Sequence, residues 1–352
     1  LPLPASWRRI KVSKKLRDMK KGLRMFRALQ AMGERLPEAL ELLTAAARPI
    51  LERWFETEVL KATLATDAII GAFASISSPG TAYVLLHHVM GTAGGARGVW
   101  GYIEGGMGGL AESIEAVCQQ LGVTVVTGAE VQSIGVQNNH ARSVVLSDGR
   151  TFEGKIVASS VDPNLTFCRF LESGLLPPEF QQAVQRIDYS SASAKINLGL
   201  AEPPDFTSLP GATIGPQHNG TIHIGETIDW IERAYDDAKY GQPSERPVLE
   251  MTIPTSVDRT IAPEGKHIAS IFVQYAPYRL KDGLHWDSIK DEFAQRCLNL
   301  LGEYAPNVPG CVEHLQILTP LDLERTYGLT GGNIFQGAMH LHQLHMLRPV
   351  PG

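Results

Sequence analysis

The segment that most constrains the fold is Gly105–Gly109, where Gly-Gly-Met-Gly-Gly opens directly onto Leu110-Ala-Glu-Ser-Ile-Glu-Ala-Val117. The apolar spacing after the glycines is helical. Glycine just before a helix lets the backbone approach a ligand closely, because no Cβ intervenes and the helix N-terminus favours anions. Gly122 then punctuates, and Val123–Thr127 is a β-branched run that predicts a buried strand. A strand is expected at Val131–Val136, a hairpin at Val144–Phe152 turning on Asp148-Gly149, and a further strand at Lys155–Ser160. Turn, helix, strand, hairpin, strand is a nucleotide-binding style of order. The glycines do not form Gly-x-Gly-x-x-Gly and no P-loop Lys-Ser/Thr follows them, so by pattern alone a tight turn is equally admissible.

The flanking sequence has a different texture. Residues 10–60 read as helical, with a break expected near Pro49, and Ser77–Thr81 reads as a turn. Beyond residue 190, strands are expected at Lys195–Leu200, Thr221–Gly225, Val248–Ile253 and His267–Tyr275, with a helix over Asp287–Leu301. Proline-rich loops separate them, which predicts a mostly antiparallel sheet with flanking helices. Lys195 stands out because it sits inside a strand. It either points outward into solvent or points inward, where it needs a partner or a wet cavity.

Several function classes are excluded. The chain has 352 residues, 43% hydrophobic and 20% charged, which suits about two globular domains and is too apolar for a disordered chain. Four isolated cysteines form neither a disulfide scaffold nor a Cys-x-x-Cys redox or zinc pair, and are read as free thiols. His340, His342 and His345, like His87-His88, lack metal-ligand spacing and neighbouring carboxylates, so no metal is expected. No apolar run is long enough to span a membrane. The net charge of −5 is uneven: residues 1–35 hold eleven Lys and Arg against Asp18 and Glu34, a local +9. Without aromatic or motif support this does not indicate nucleic-acid binding. Leu16, Met19, Leu23 and Phe26 recur at helical spacing among those cations. Residues 8–35 are therefore a basic amphipathic helix that either packs on its own domain or contacts a membrane surface peripherally.

Longer blocks carry a resemblance. Leu60–Ala68, Tyr83–Gly91, Trp100–Tyr102, Gly105–Gly108, Thr319–Arg325 and Gly331–Met339 resemble the phytoene-desaturase-like FAD-dependent oxidoreductases, over nearly the whole chain. The resemblance implies a mixed α/β and α+β fold: part of a Rossmann-like FAD/NAD(P)-binding domain with an inserted substrate domain of antiparallel sheet plus helices. The expected division is residues 1–104 as the helical part of the substrate domain, 105–165 as the middle of the FAD-binding domain, 166–335 as the substrate domain, and 336–352 as a return segment. It implies FAD as cofactor, with Gly105, Gly106, Met107 and Gly108 by the isoalloxazine and Val131 touching adenine through its backbone. Lys195 matches a lysine that, in amine-oxidase relatives, holds a water near the flavin and serves as the catalytic candidate. It further implies hydride transfer from a lipophilic small molecule, a mitochondrial matrix location and a mitochondrial protein partner. The alternative is a weakly catalytic or non-catalytic regulatory protein that keeps the flavoprotein fold. The family's N-terminal Gly-x-Gly-x-x-Gly unit and C-terminal glycine-rich flavin segment are not in this sequence. The chain is accordingly read as part of a longer protein, expected to bind FAD poorly by itself.

Overall fold

A computed structural model describes residues 30–344 and 347–350, together with Leu23 and Arg27. Most of the basic N-terminal helix expected over residues 8–35, and His345, lie outside the described residues. Three helices open the described chain: α1 (Leu36–Thr44), α2 (Ala47–Trp54) and α3 (Glu58–Asp67), followed by α4 (Thr81–Val89). The expected break at Pro49 is not there. The chain breaks at Ala45-Ala46 and again at Phe55–Thr57, and Pro49 lies in the first turn of α2. A proline is tolerated there because first-turn N–H groups have no intrahelical acceptor.

The glycine-rich segment leads into α5 (Gly106–Gln120), as its periodicity predicts. β1 (Val131–Gln137), β2 (His140–Leu146) and β3 (Thr151–Glu153) then form a three-stranded antiparallel meander, β1-β2-β3. The strands expected at Val123–Thr127 and Lys155–Ser160 are absent from the ladders: both segments pair with no described strand. β-branched runs supply propensity, but a strand exists only against a hydrogen-bonded neighbour. The same region leaves apolar surface uncovered: Met107 is 73% exposed, Leu121 77% and Ile156 87%.

After α6 (Pro178–Gln185) comes the main sheet. Its strands are β4 (Ser193–Leu200), β5 (Ile222–Ile224), β6 (Val248–Thr252), β7 (His267–Gln274) and β8 (Val312–Leu318). They are arranged β8-β4-β7-β6-β5, every pair antiparallel. α7 (Ile228–Lys239) joins β5 to β6, and α8 (Trp286–Tyr304) joins β7 to β8. Alternation sets the two faces of the sheet. Ala194, Ile196, Leu198 and Leu200 of β4, with Leu249, Met251, Ile271 and Val273, are buried in one core with Trp286, Phe293, Ala294, Cys297 and Leu301 of α8. A second core joins α2, α3 and α7 through Leu51, Ala65, Ile69, Ile228 and Ile231. The four cysteines are free, Cys297 and Cys311 buried.

α9 (Pro320–Tyr327) has sharp ends. Thr319 Oγ1 accepts from the Asp322 amide at 3.2 Å while the Asp322 carboxylate accepts from the Thr319 amide at 3.1 Å, and Gly328 closes the helix at φ +68°. The segment that follows is seated against the α3–α4 connection. A Cβ on Gly71 (φ +67°) would lie 2.6 Å from Ile334 Cδ1 and 2.7 Å from Phe335 Cε2, so only glycine fits.

Candidate active site

The second face of the main sheet is polar. Because Cβ atoms alternate, Ser193, Lys195 and Asn197 of β4 point away from the α8 core. Strand register then sets a row across four strands: Lys195 lies opposite Phe272, Phe272 opposite Glu250, and Glu250 opposite His223. Directly opposed residues share a face, so two ionisable groups and a histidine end up side by side. The Lys195 ammonium donates to Ser270 Oγ, and Asn197 Nδ2 donates to Gln316 Oε1 at 3.0 Å.

Two helices roof the row. Thr66 of α3 bonds His223 Nδ1 through its hydroxyl at 2.9 Å, and Asp67 follows it. His88 of α4 bonds the Val84 carbonyl through Nδ1 at 2.9 Å and packs near the Phe335 ring. Gln274, at the end of β7, ties the roof to the sheet: its side chain donates to Ile69 O at 2.9 Å and accepts from Gly71 N at 3.1 Å.

Burial dominates the electrostatics. It pushes the Glu250 carboxyl up to about 7, Asp67 adding to the rise and Lys195 opposing it. It raises Asp67, with His88 and His223 pulling the other way. It lowers Lys195, against the pull of Glu250, and lowers both His88 and His223. Each shift favours the neutral form, as desolvation by burial requires. The Asp67 and Glu250 carboxyls make no hydrogen bond or direct ion pair with another described residue. Ser193 is 1% exposed, and its Oγ has no hydrogen-bond partner among the described residues. Orphaned buried hydroxyls are rare, and this one lies on the same sheet face as Lys195, two residues along β4.

The expected cofactor residues lie elsewhere on the chain. Gly105 (φ +78°) and Gly106 (φ +76°) adopt left-handed backbone, and the Gly105 amide donates to Asp258 Oδ2 at 2.7 Å, holding the turn against the loop between β6 and β7. A Cβ on Gly105 or Gly108 would meet nothing within 4 Å, so the chain itself does not fill the space beside this turn. Val131 begins β1 opposite Leu146, in a different sheet from Lys195. Glu250, Asp67, His223 and Ser193 were not singled out from sequence. The available signal was alternation: Val-Leu-Glu-Met-Thr at 248–252 carries an acid at the polar phase of a buried strand, as 193–200 carries Lys195. His340 pairs with Asp188 at 3.3 Å and stacks on His342. Among the described residues no three His, Cys, Asp or Glu side chains are placed to hold a metal. A separate cavity of about 780 Å³, bordered by Tyr189, Tyr278, Arg279 and Glu324, includes none of the polar-row residues.

Residues 2–275 match the family model described as flavin containing amine oxidoreductase. The chain belongs to that family. It is 41% identical to the pyridine nucleotide-disulfide oxidoreductase domain-containing protein 2 of Rattus norvegicus, over 93% of this chain and 57% of the relative. It is 26% identical to the phytoene desaturase (lycopene-forming) of Pseudescherichia vulneris, over 72% of this chain and 49% of that protein. An oxidoreductase from Methanosarcina mazei superposes with a TM-score of 0.48 at 18% identity, covering 81% of this chain and 60% of its own. The chain thus spans a little over half the length of the curated relatives it matches.

Proposed function

We propose that the complete protein is an FAD-dependent oxidoreductase that takes a hydride from a lipophilic small molecule, with the polar face around Lys195 lining the reaction cavity. The observation that carries this reading is the juxtaposition of a half-buried Lys195 with an unpartnered Ser193 Oγ on one sheet face. Family membership supports a flavin in particular. The residues present fit such a group: the left-handed Gly105-Gly106 turn leaves open space where side chains would intrude, and opens a helix N-terminus. In this reading Gly105, Gly106, Met107 and Gly108 border the isoalloxazine, and Val131 offers backbone to the adenine.

When bound, the flavin supplies the two-electron acceptor. The chain's own residues do the rest. Lys195, fixed by its bond to Ser270, orients a water or a substrate heteroatom, and burial weakens its hold on its proton. The roof of α3 and α4 excludes bulk water from the Glu250 end of the row. The same reading places the protein in the mitochondrial matrix with a protein partner, on resemblance alone, and assigns membrane-surface contact to residues 8–35 on their charge. Lys195→Met in the complete protein is the test. Retained flavin absorption with reduction slowed about 10²–10⁴-fold is expected. Unchanged reduction would remove Lys195 from the mechanism, and a complete protein that holds flavin irreducibly would favour the regulatory alternative.

A further inference from the structure

The cavity of about 780 Å³ lies at one end of the main sheet, where the chain enters β4 and leaves β7, and contains neither the polar row nor the Gly105–Gly108 turn. Its volume falls within the roughly 300–1,000 Å³ of small-molecule pockets. Two of its borders are tied together. The Lys281 amide donates to the Gly241 carbonyl at 2.9 Å, and a Cβ on Gly241 (φ +80°) would lie 2.9 Å from Lys281 N, so the end of α7 and the segment after β7 meet through a glycine. This contact gathers Lys239, Arg279 and Lys281 at the cavity. Lys239 and Lys281 have only long ion pairs, to Asp236 at 3.7 Å and to Asp282 at 3.8 Å, and exposed pairs of this kind hold a side chain weakly. Arg279 is exposed and makes no hydrogen bond or ion pair with another described residue. The two carboxylates at the cavity are engaged elsewhere. Glu324 accepts from the Gly331 amide at 2.8 Å and from the Tyr278 hydroxyl, while Asp188 accepts from the Ser190 amide at 2.7 Å and pairs with His340 at 3.3 Å. Aromatic rings complete the wall: Tyr240, which is 70% exposed, with Tyr278 and Phe73. Lys239 Nζ stands 5.2 Å from the centre of the Tyr240 ring, so charge and ring are adjacent.

We propose that this cavity is a nucleotide site, separate from the flavin, in which Lys239, Arg279 and Lys281 receive the phosphates and the base stacks on Tyr240. The planar fork of Arg279 matches phosphate oxygens bidentately, and the two lysines add point charges beside it. Every base has a π-face, so stacking on tyrosine asks for no particular base. Between charge and ring, the Asp188 and Glu324 carboxylates keep acceptor lone pairs that suit the hydroxyls of a ribose. A simple anion would leave the ring uncovered, and an uncharged aromatic would leave Arg279 without a partner. A nucleotide meets both. The site uses no residue assigned to the flavin reaction and stands independently of that reading.

Titration of ADP, adenosine and pyrophosphate into the complete, flavin-loaded protein, read by calorimetry, separates the parts. ADP should bind at least about tenfold more tightly than either of the others, since each of them lacks one half of the contacts. Pyrophosphate or adenosine binding as tightly as ADP, or no binding of ADP at millimolar concentration, overturns the proposal. Arg279→Glu should weaken ADP at least about tenfold and leave adenosine unchanged, while Tyr240→Ala should weaken both at least about fivefold. Unmoved ADP affinity in the two variants overturns it as well. Should a variant not fold, the unmodified protein still answers: an azido derivative of ADP is photolysed on it and the labelled peptides are identified by mass spectrometry. Label within residues 239–241 or 277–281 that excess ADP displaces supports the site, and label only elsewhere overturns it. A complete protein with no flavin spectrum would refute the oxidoreductase reading, while the position of the photolabel would still decide the cavity.

Discussion

Replacing Glu250 by Gln should change how stability depends on pH, and the size of the change follows from the burial of its carboxyl. The folded state holds this proton up to about pH 7, against an ordinary value of 4.5. At roughly 1.36 kcal/mol per pH unit, that difference is worth about 3 kcal/mol. The folded value is the raised one. The stabilisation from the bound proton is therefore complete below pH 4.5 and is lost as pH rises through 7. Gln cannot ionise, so the variant escapes that loss. Relative to the parent, it should gain up to about 3 kcal/mol between pH 4.5 and pH 8.5. The figure is an upper limit, because Lys195 loses a nearby carboxylate in the variant. Urea unfolding of both proteins across that range, with the same slope against denaturant, measures it. Parallel stability curves would refute the premise that Glu250 is buried and uncompensated.

Three further outcomes are expected. Ser193→Ala should raise stability by about 1 kcal/mol, because a buried hydroxyl without a partner disappears; calorimetric melting reads it. Gly71→Ala should destabilise by roughly 2–4 kcal/mol in denaturant unfolding, since the new Cβ would sit 2.6 Å from Ile334 and the backbone is left-handed. Phe293→Ala should cost about 3–5 kcal/mol in the same assay, because Phe293 is 1% exposed and stacks edge-on against Trp286 at 5.5 Å.

Some of this was legible in the residues. Strand-like runs located β4, β5, β6 and β7, helical spacing located α5 and α8, and the quoted blocks carried the family. These are local signals, because a pleat or a helix imposes its period on the segment that forms it. Two segments with the same local character, Val123–Thr127 and Lys155–Ser160, did not become strands, since a ladder requires a partner that no single segment specifies. The site followed the same division. Lys195 was visible as an ionisable residue inside a strand, but its direction was open until register set Phe272, Glu250 and His223 beside it. Asp67 is far away in sequence and reaches the row only because α3 packs across the sheet. The sequence determined by itself which elements form and what chemistry each carries. Tertiary structure alone decided which of those groups share one half-buried sheet face, because desolvation and charge coupling depend on distance through space and not along the chain.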